Sequence, residues 1–398
     1  MPNPSQPSGP LDGGADRRTG RHGIDPAHQR IAVVSDAEPE RNGVGAYYAD
    51  LVEHLRDHVA EVAVFGPGGD PDLGSLSLPL PGDSTQKILL PNLMTVRRRM
   101  LALRPHAVVV PTPGPWGLLG AWLAGSVGAG LIVGFHTHYE RLADLYWSSS
   151  LGAIPRSYMR LANRFLFDRG AVVLANSQAM ADAARSLGAR QVDLMGTPIP
   201  RLFIDPPVTA LDERVTRVLF AGRLAPEKNV QTVVDAARDH PDMGFTIVGD
   251  GPLRAGIEEQ ARALPNLSVP GWLPRARLPA ALDTCDVLVL PSHVESLGTV
   301  ALEALARGRN VLVSAHCGIT EWPMLDRALF RIGDGETVSQ ALGRVASLDV
   351  TIRQRKAGMG AEGAREMNAW AVDGWLDVLA NHGAALDDDG GTNRRADG

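Results

Sequence analysis

The chain has 398 residues, 44% of them hydrophobic and 21% charged, with a formal net charge of -6 at pH 7. That length predicts about two domains with separate cores, and the hydrophobicity excludes disorder along the whole chain. The acidic balance, with no basic module in either half, speaks against a nucleic-acid binder, which needs a basic footprint on phosphates.

Cys285 and Cys317 are too few for a disulfide framework and fit a reducing compartment. No apolar run reaches a membrane span, because the greasiest stretch, 116–135, is interrupted by Gly117, Gly120, Gly125, Gly128, Gly130 and Gly134. Residues 1–28 hold five Pro and five Gly and lack the apolar core of a signal peptide. They and 387–398 read as disordered tails, and a cytoplasmic location is expected. Of 39 Lys and Arg, only Lys87, Lys228 and Lys356 are lysines. That bias fits a GC-rich genome, and a lysine that persists against it carries extra weight.

β-branched runs at 31–35, 62–65, 107–110, 131–135 and 171–175 predict strands, separated by helical patterns at 45–57, 116–124 and 157–168. A second series at 217–221, 245–248, 267–269, 287–290 and 310–314 alternates with helical patterns at 229–239, 253–264 and 299–307. Apolar strands alternating with helix-length segments indicate parallel sheets covered on both faces. The expected architecture is two doubly wound α/β domains, 29–205 and 206–370, facing across a cleft. A last helix at 371–386 is expected to pack back toward the first domain. Four prolines within 197–207 predict a stiff linker. Ligands of open α/β sheets bind at the carboxyl ends of strands, so motifs belong just beyond strand ends.

Arg41-Asn-Gly-Val-Gly45 follows the first strand and opens a helix. It has Tyr48 where a dinucleotide fingerprint needs its third glycine, which disfavours a dehydrogenase, although Gly43 and Gly45 still permit close backbone approach. Arg97-Arg98-Arg99 reads as a solvated helix face, with contact to anionic lipid headgroups as the alternative. Pro111–Gly120 is a strand end and helix start whose glycines allow something to approach. In Gly134-Phe-His-Thr-His-Tyr-Glu140, a shared metal is disfavoured because residues leaving a strand alternately diverge and no matching cluster exists elsewhere. One imidazole, His136, is expected to face the cleft while the other packs. No metal is expected.

Phe220-Ala-Gly-Arg-Leu-Ala-Pro-Glu-Lys-Asn229 places Arg223 and Lys228 on a strand-to-helix loop, where a guanidinium and an ammonium together grip a diphosphate. The competing reading is two solvated cations, and the persistence of Lys228 favours the first. Asn229 is expected to cap the next helix. Val248-Gly-Asp-Gly-Pro252 is a similar turn, weak by itself. Pro291–Glu303 runs from strand to helix start, where free N–H groups at Gly298-Thr299 form an anion site. Glu295 precedes that site and Glu303 lies a turn inside the helix, in reach of ribose hydroxyls beyond the phosphates. By spacing alone, Glu295 is equally an exposed loop acid and Glu303 equally a carboxylate favoured near a helix N-terminus. Trp370 and Trp375 read as packing anchors.

Together these residues resemble glycosyltransferase family 4, the retaining GT-B enzymes that use nucleotide sugars. Glu295 and Glu303 match its glutamate–seven residues–glutamate hallmark. Gly222–Asn229, Val248–Pro252, Asp286–Ser292, Asn42–Gly45, Thr112–Pro115 and Phe135–His138 are similar to other family segments, so the resemblance runs from about Arg30 to His382. It implies a GT-B fold and transfer of a sugar from a GDP- or UDP-linked donor. Arg223 and Lys228 would hold the diphosphate and Glu303 the ribose. Glu295 with Ser296, Leu297, Gly298 and Thr299 would hold sugar and phosphates, with Gly251 nearby. Trp272 and Leu273 would flank the base, Gly43 and Gly45 would approach sugar and phosphate, and His136 would bond a sugar hydroxyl. Front-face attack, with the leaving phosphate taking the acceptor's proton, would need neither a dedicated base nor a metal. Leu297 stands where members often carry an aromatic residue, and Gly196-Thr-Pro-Ile199 replaces Asn-Gly-Val-Asp. The expected acceptor is a small molecule, with a membrane lipid as the alternative. A sugar-nucleotide epimerase is the rival enzyme of the same architecture.

Overall fold

The computed structural model describes residues 24–38, 43–67, 70–80, 83–136 and 153–384. The tails expected at 1–28 and 387–398 lie outside these residues except for 24–28. There Asp25 caps a short turn at Pro26–His28, and the Ile24 N–H donates to the Ala380 carbonyl, so this stretch is tied to the body rather than a tail.

The first half contributes β1 (Arg30–Val34), β2 (Glu61–Phe65), the hairpin β3 (Gly74–Leu80) and β4 (Asp83–Pro91), then β5 (Ala107–Val110), β6 (Gly130–Phe135), β7 (Val172–Ala175) and β8 (Val192–Leu194). All but the hairpin form one parallel sheet, ordered β2-β1-β5-β6-β7-β8. The second half builds β9 (Arg217–Ala221), β10 (Gly244–Val248), β11 (Leu267–Gly271), β12 (Val287–Leu290), β13 (Asn310–Val313) and β14 (Phe330–Arg331) into a parallel sheet ordered β11-β10-β9-β12-β13-β14. That order reverses direction between β9 and β12, the switch point at which doubly wound sheets open a ligand crevice. Every residue of β5, β7, β12 and β13 is buried, as expected of strands covered on both faces.

The helices of the first half are α1 (Gly43–Leu55), α2 (Leu93–Leu103), α3 (Pro115–Val127), α4 (Ala153–Arg169), α5 (Gln178–Ser186) and α6 (Arg201–Ile204). Those of the second are α7 (Gln231–Asp239), α8 (Arg254–Ala261), α9 (Leu278–Thr284), α10 (Thr299–Ala306), α11 (Pro323–Asp326), α12 (Val338–Ala346) and α13 (Val350–His382). None is long and apolar enough to cross a membrane.

The proline-rich linker is clasped rather than free. Buried Arg307 donates to the carbonyls of Phe203, Pro206 and Pro207, Arg309 to that of Thr209, and Arg353 to those of Asp212 and Glu213. The Arg307 guanidinium thereby satisfies backbone acceptors in a stretch whose prolines supply no N–H donors.

The boundary expected at 370/371 falls inside α13, which is continuous over 33 residues. Its later turns reach the first sheet. Trp375, fully buried, donates its indole N–H to Tyr47 Oη at 2.8 Å, and Tyr47 in turn donates to the Gly196 carbonyl. Trp370 packs against Trp322, their ring centroids 5.3 Å apart.

Candidate active site

The switch point of the second sheet is built from two loops fastened to each other. After β9, Pro226–Lys228 forms a short turn that ends on Asn229. Asn229 does not cap α7: its amide donates to the Pro291 carbonyl at 3.3 Å, and Val230, which precedes α7, offers no side-chain cap. The His293 N–H donates to the Glu227 carbonyl, a second tie to the loop after β12. Beneath them, a methyl group on Gly249 would lie 1.8 Å from the Gly222 carbonyl oxygen and one on Gly251 2.5 Å from that of Leu224. The Val248–Pro252 turn therefore buttresses the cation loop, with Leu224 donating to the Asp250 carbonyl. Asp286 is structural as well, its carboxylate accepting the Thr216 and Arg217 N–H groups that start β9.

On this frame Lys228 forms a close ion pair with Glu295, both side chains largely buried. Burial opposes the ammonium's charge, but Glu295 outweighs it and the lysine pKa ends above its ordinary value. Arg223 lies 3.8 Å from the Glu227 carboxylate. Glu295 is positioned from behind, because the Gly318 and Ile319 N–H groups donate to the Glu295 and Leu297 carbonyls. A methyl on Gly318 would meet the Ser296 carbonyl oxygen at 1.9 Å. Leu297 sends its side chain into the core, so its backbone alone is left for a ligand. Gly298, at φ +89°, turns the chain into α10 and brings no side-chain oxygen to the helix's first N–H groups. Positive helix-end potential therefore stands beside Lys228.

Across the cleft, a methyl at Gly43 would lie 3.6 Å from Thr299 Oγ1, so the start of α10 faces that end of α1. Further into these helices, Arg275 makes a bidentate contact with Asp50, at 2.7 and 2.6 Å, and a 2.6 Å contact with Glu303. Burial pushes Asp50 up to about 8 despite the guanidinium, with Glu303 adding to the rise. Glu303 is likewise raised by burial against the pull of Arg275.

His136 is held by Tyr48 at 2.9 Å and packs on Tyr47, with ring centroids 4.5 Å apart. Burial lowers its pKa to about 4, which keeps the imidazole neutral. What approaches the glycines after β5 is the chain's own Asp36. Its carboxylate accepts the Thr112 hydroxyl and the Trp116 and Gly117 N–H groups, filling the switch point between β1 and β5. Arg41, Asn42, His138 and Glu140 lie outside the described residues. Trp272 is 46% exposed and Leu273 half-buried, at the end of β11. Arg97 and Arg98 are exposed on α2, while Arg99 pairs with Asp70. Among the described residues, no group of His, Cys, Asp or Glu is placed to hold a metal ion.

Sequence reasoning passed over Arg275 and Asp50, and read Tyr48 only as the residue that breaks a glycine fingerprint. Arg275 stood three residues beyond Trp272 in a strand-end loop, a usable signal. Asp50 and Tyr48 lay inside a helix with nothing to mark their partners.

Two family models match the chain: Glycosyltransferase Family 4 over residues 41–199, and Glycosyl transferases group 1 over 204–322. The 2-deoxystreptamine glucosyltransferase of Streptomyces kanamyceticus is 32% identical over 231 residues, covering 52% of this chain and 59% of that protein. The match therefore spans less than two thirds of that relative. The GDP-mannose-dependent alpha-mannosyltransferase of Mycolicibacterium smegmatis is 29% identical over 306 residues, 71% of this chain and 79% of that one. The solved structure of Anabaena HepE in complex with UDP and glucose superposes with a TM-score of 0.65 at 18% identity, covering 89% of this chain and 100% of that one, a likeness of fold. The two family models meet at the linker between the two parallel sheets, and the chain belongs to the GT-B glycosyltransferases of family 4.

Proposed function

We propose that the protein transfers a sugar from a GDP- or UDP-linked donor to a small-molecule acceptor with retention of anomeric configuration. The observation that carries this reading is the convergence of Lys228, Glu295 and the uncapped start of α10 at the switch point, facing Gly43 across the cleft. A leaving nucleoside diphosphate gains negative charge as the glycosidic bond breaks. Preplaced cations and N–H dipoles lower that barrier because they need no reorganisation. Lys228 and Arg223 would hold the phosphates, Glu295 and the 296–299 backbone the sugar, and Glu303 the ribose. Trp272 and Leu273 would flank the base. His136, neutral and fixed by Tyr48, would bond a sugar hydroxyl.

Front-face attack fits these groups. The acceptor hydroxyl bonds to the anomeric carbon as the phosphate oxygen leaves, and its proton passes to that oxygen. The cations supply the charge stabilisation, so activity is expected to survive a chelator. The donor classes follow the GDP-mannose dependence of the mannosyltransferase relative and the UDP bound in the HepE complex. A small acceptor is favoured by the name of the Streptomyces relative.

The test is release of nucleoside diphosphate from a donor panel with and without acceptors, with the product anomer read by proton NMR. An α-linked donor giving a β-linked product refutes retention. Isomerised donor without acceptor identifies an epimerase instead. One observation favours a second reading, a lipid acceptor: Leu93, Met94 and Leu101 are exposed around Arg97 and Arg98 on α2. Co-sedimentation with anionic vesicles separates the two.

A further inference from the structure

We propose that Arg275 and Asp50 are positioning residues for the donor's ribose, so that the nucleoside subsite of the second domain is completed by a carboxylate of the first. This rests on the donor reading above. The guanidinium's donors are nearly all committed. Nη1 serves Asp50 Oδ1 at 2.7 Å and the Ala46 carbonyl at 3.3 Å, and Nη2 serves Asp50 Oδ2 and Glu303 Oε1, each at 2.6 Å. Arg275 is thus not free to take a phosphate. It acts on Glu303, the acid assigned to the ribose, which has no other partner among the described residues. Asp50 and Glu303 are 4% and 5% exposed, on helices of different domains.

A buried carboxyl without a cation takes up a proton and loses acceptor strength toward a hydroxyl. Arg275 opposes that, and it occupies Oε1 while leaving Oε2 as the acceptor. Arg275 is itself oriented by the bidentate fork to Asp50. If the domains part, Asp50 withdraws and the fork is lost, so Glu303 is best prepared when the cleft is closed. By reciprocity, ribose binding at Glu303 favours closure by the same factor.

The experiment measures calorimetric affinities of the full chain for UDP and GDP and for their 2′-deoxy and 3′-deoxy analogues. The proteins are wild type, Glu303→Gln, Asp50→Asn and Arg275→Lys. A hydrogen bond to a charged group gives a preference of roughly ten- to a hundredfold for a ribose over a deoxyribose nucleotide in wild type. Asp50→Asn and Arg275→Lys are expected to lose most of that preference, as Glu303→Gln does, while keeping wild-type affinity for the deoxy analogue. In turnover the loss falls on the donor KM, with kcat at saturating donor retained. A fault in folding would instead weaken ribo and deoxy nucleotides alike, and the two conservative variants give independent readings. Loss of the preference in Glu303→Gln with its retention in both other variants overturns the inference and leaves the donor reading intact. Binding of neither UDP nor GDP by wild type overturns the donor reading itself.

Discussion

Replacing Lys228 with methionine removes an ammonium and leaves the Glu295 carboxylate, 15% exposed, beside a helix start that supplies only part of a charge. Stranding one partner of a buried ion pair costs about 3–5 kcal/mol. The lower end applies here, because the two side chains keep 19% and 15% exposure. The reverse variant, Glu295→Leu, strands the ammonium in the same surroundings and costs a similar amount. The double variant replaces both charges with packed hydrocarbon and returns to within about 1 kcal/mol of wild type, as isosteric replacement of buried pairs does. Urea unfolding at constant m-value reads all three, and in calorimetry with UDP and GDP the Lys228→Met proteins are expected not to bind. The pair would then be maintained for ligand binding rather than for stability. Single variants that are both neutral, or a double variant whose loss is the sum of the singles, would refute that reasoning.

His136 titrates at about 4 in the folded chain against an ordinary 6.5. Its depressed pKa contributes stability that is complete above pH 6.5 and lost as pH falls toward 4, about 3 kcal/mol in all. His136→Gln should remove that slope from a urea series across this window, and parallel wild-type and variant slopes would contradict it. Gly298→Ala puts a methyl 2.8 Å from Leu290 Cδ2 at a residue with φ +89°. It should cost about 1–2 kcal/mol and weaken nucleotide binding, whereas wild-type affinity would show that the turn is not part of the site. Trp375→Ala empties a fully buried position between α13 and the first sheet. A loss of about 3–5 kcal/mol is expected, and an unchanged unfolding midpoint would contradict the packing described.

The strands were legible because both faces of each sheet are covered, which makes β5, β7 and β12 unbroken apolar runs and leaves β13 apolar after its first residue, Asn310. β8 and β14, at three and two residues, are too short to show a period. The hairpin β3–β4 forms a two-stranded sheet apart from the two parallel sheets. The loops after β9 and β12 were readable from strand–glycine–helix spacing. Their partners were not, because Asn229 to Pro291 and Arg275 to Asp50 are contacts across 62 and 225 positions. The glycines after β5 carried a real signal of close approach, but the approaching group, Asp36, is 80 residues away from the Trp116 N–H it caps.

The central claim, that the loops after β9 and β12 hold a nucleotide-sugar diphosphate, is tested most directly by thermal unfolding against UDP-, GDP-, ADP- and dTDP-sugars. Wild type is compared with Lys228→Ala by the shift each ligand induces. A native-state ligand at a hundred times its dissociation constant stabilises by about 2.7 kcal/mol. The account predicts a clear rise in midpoint with a UDP- or GDP-sugar for wild type and little or none for the variant. No rise with any nucleotide sugar, or an equal rise in both proteins, would contradict it.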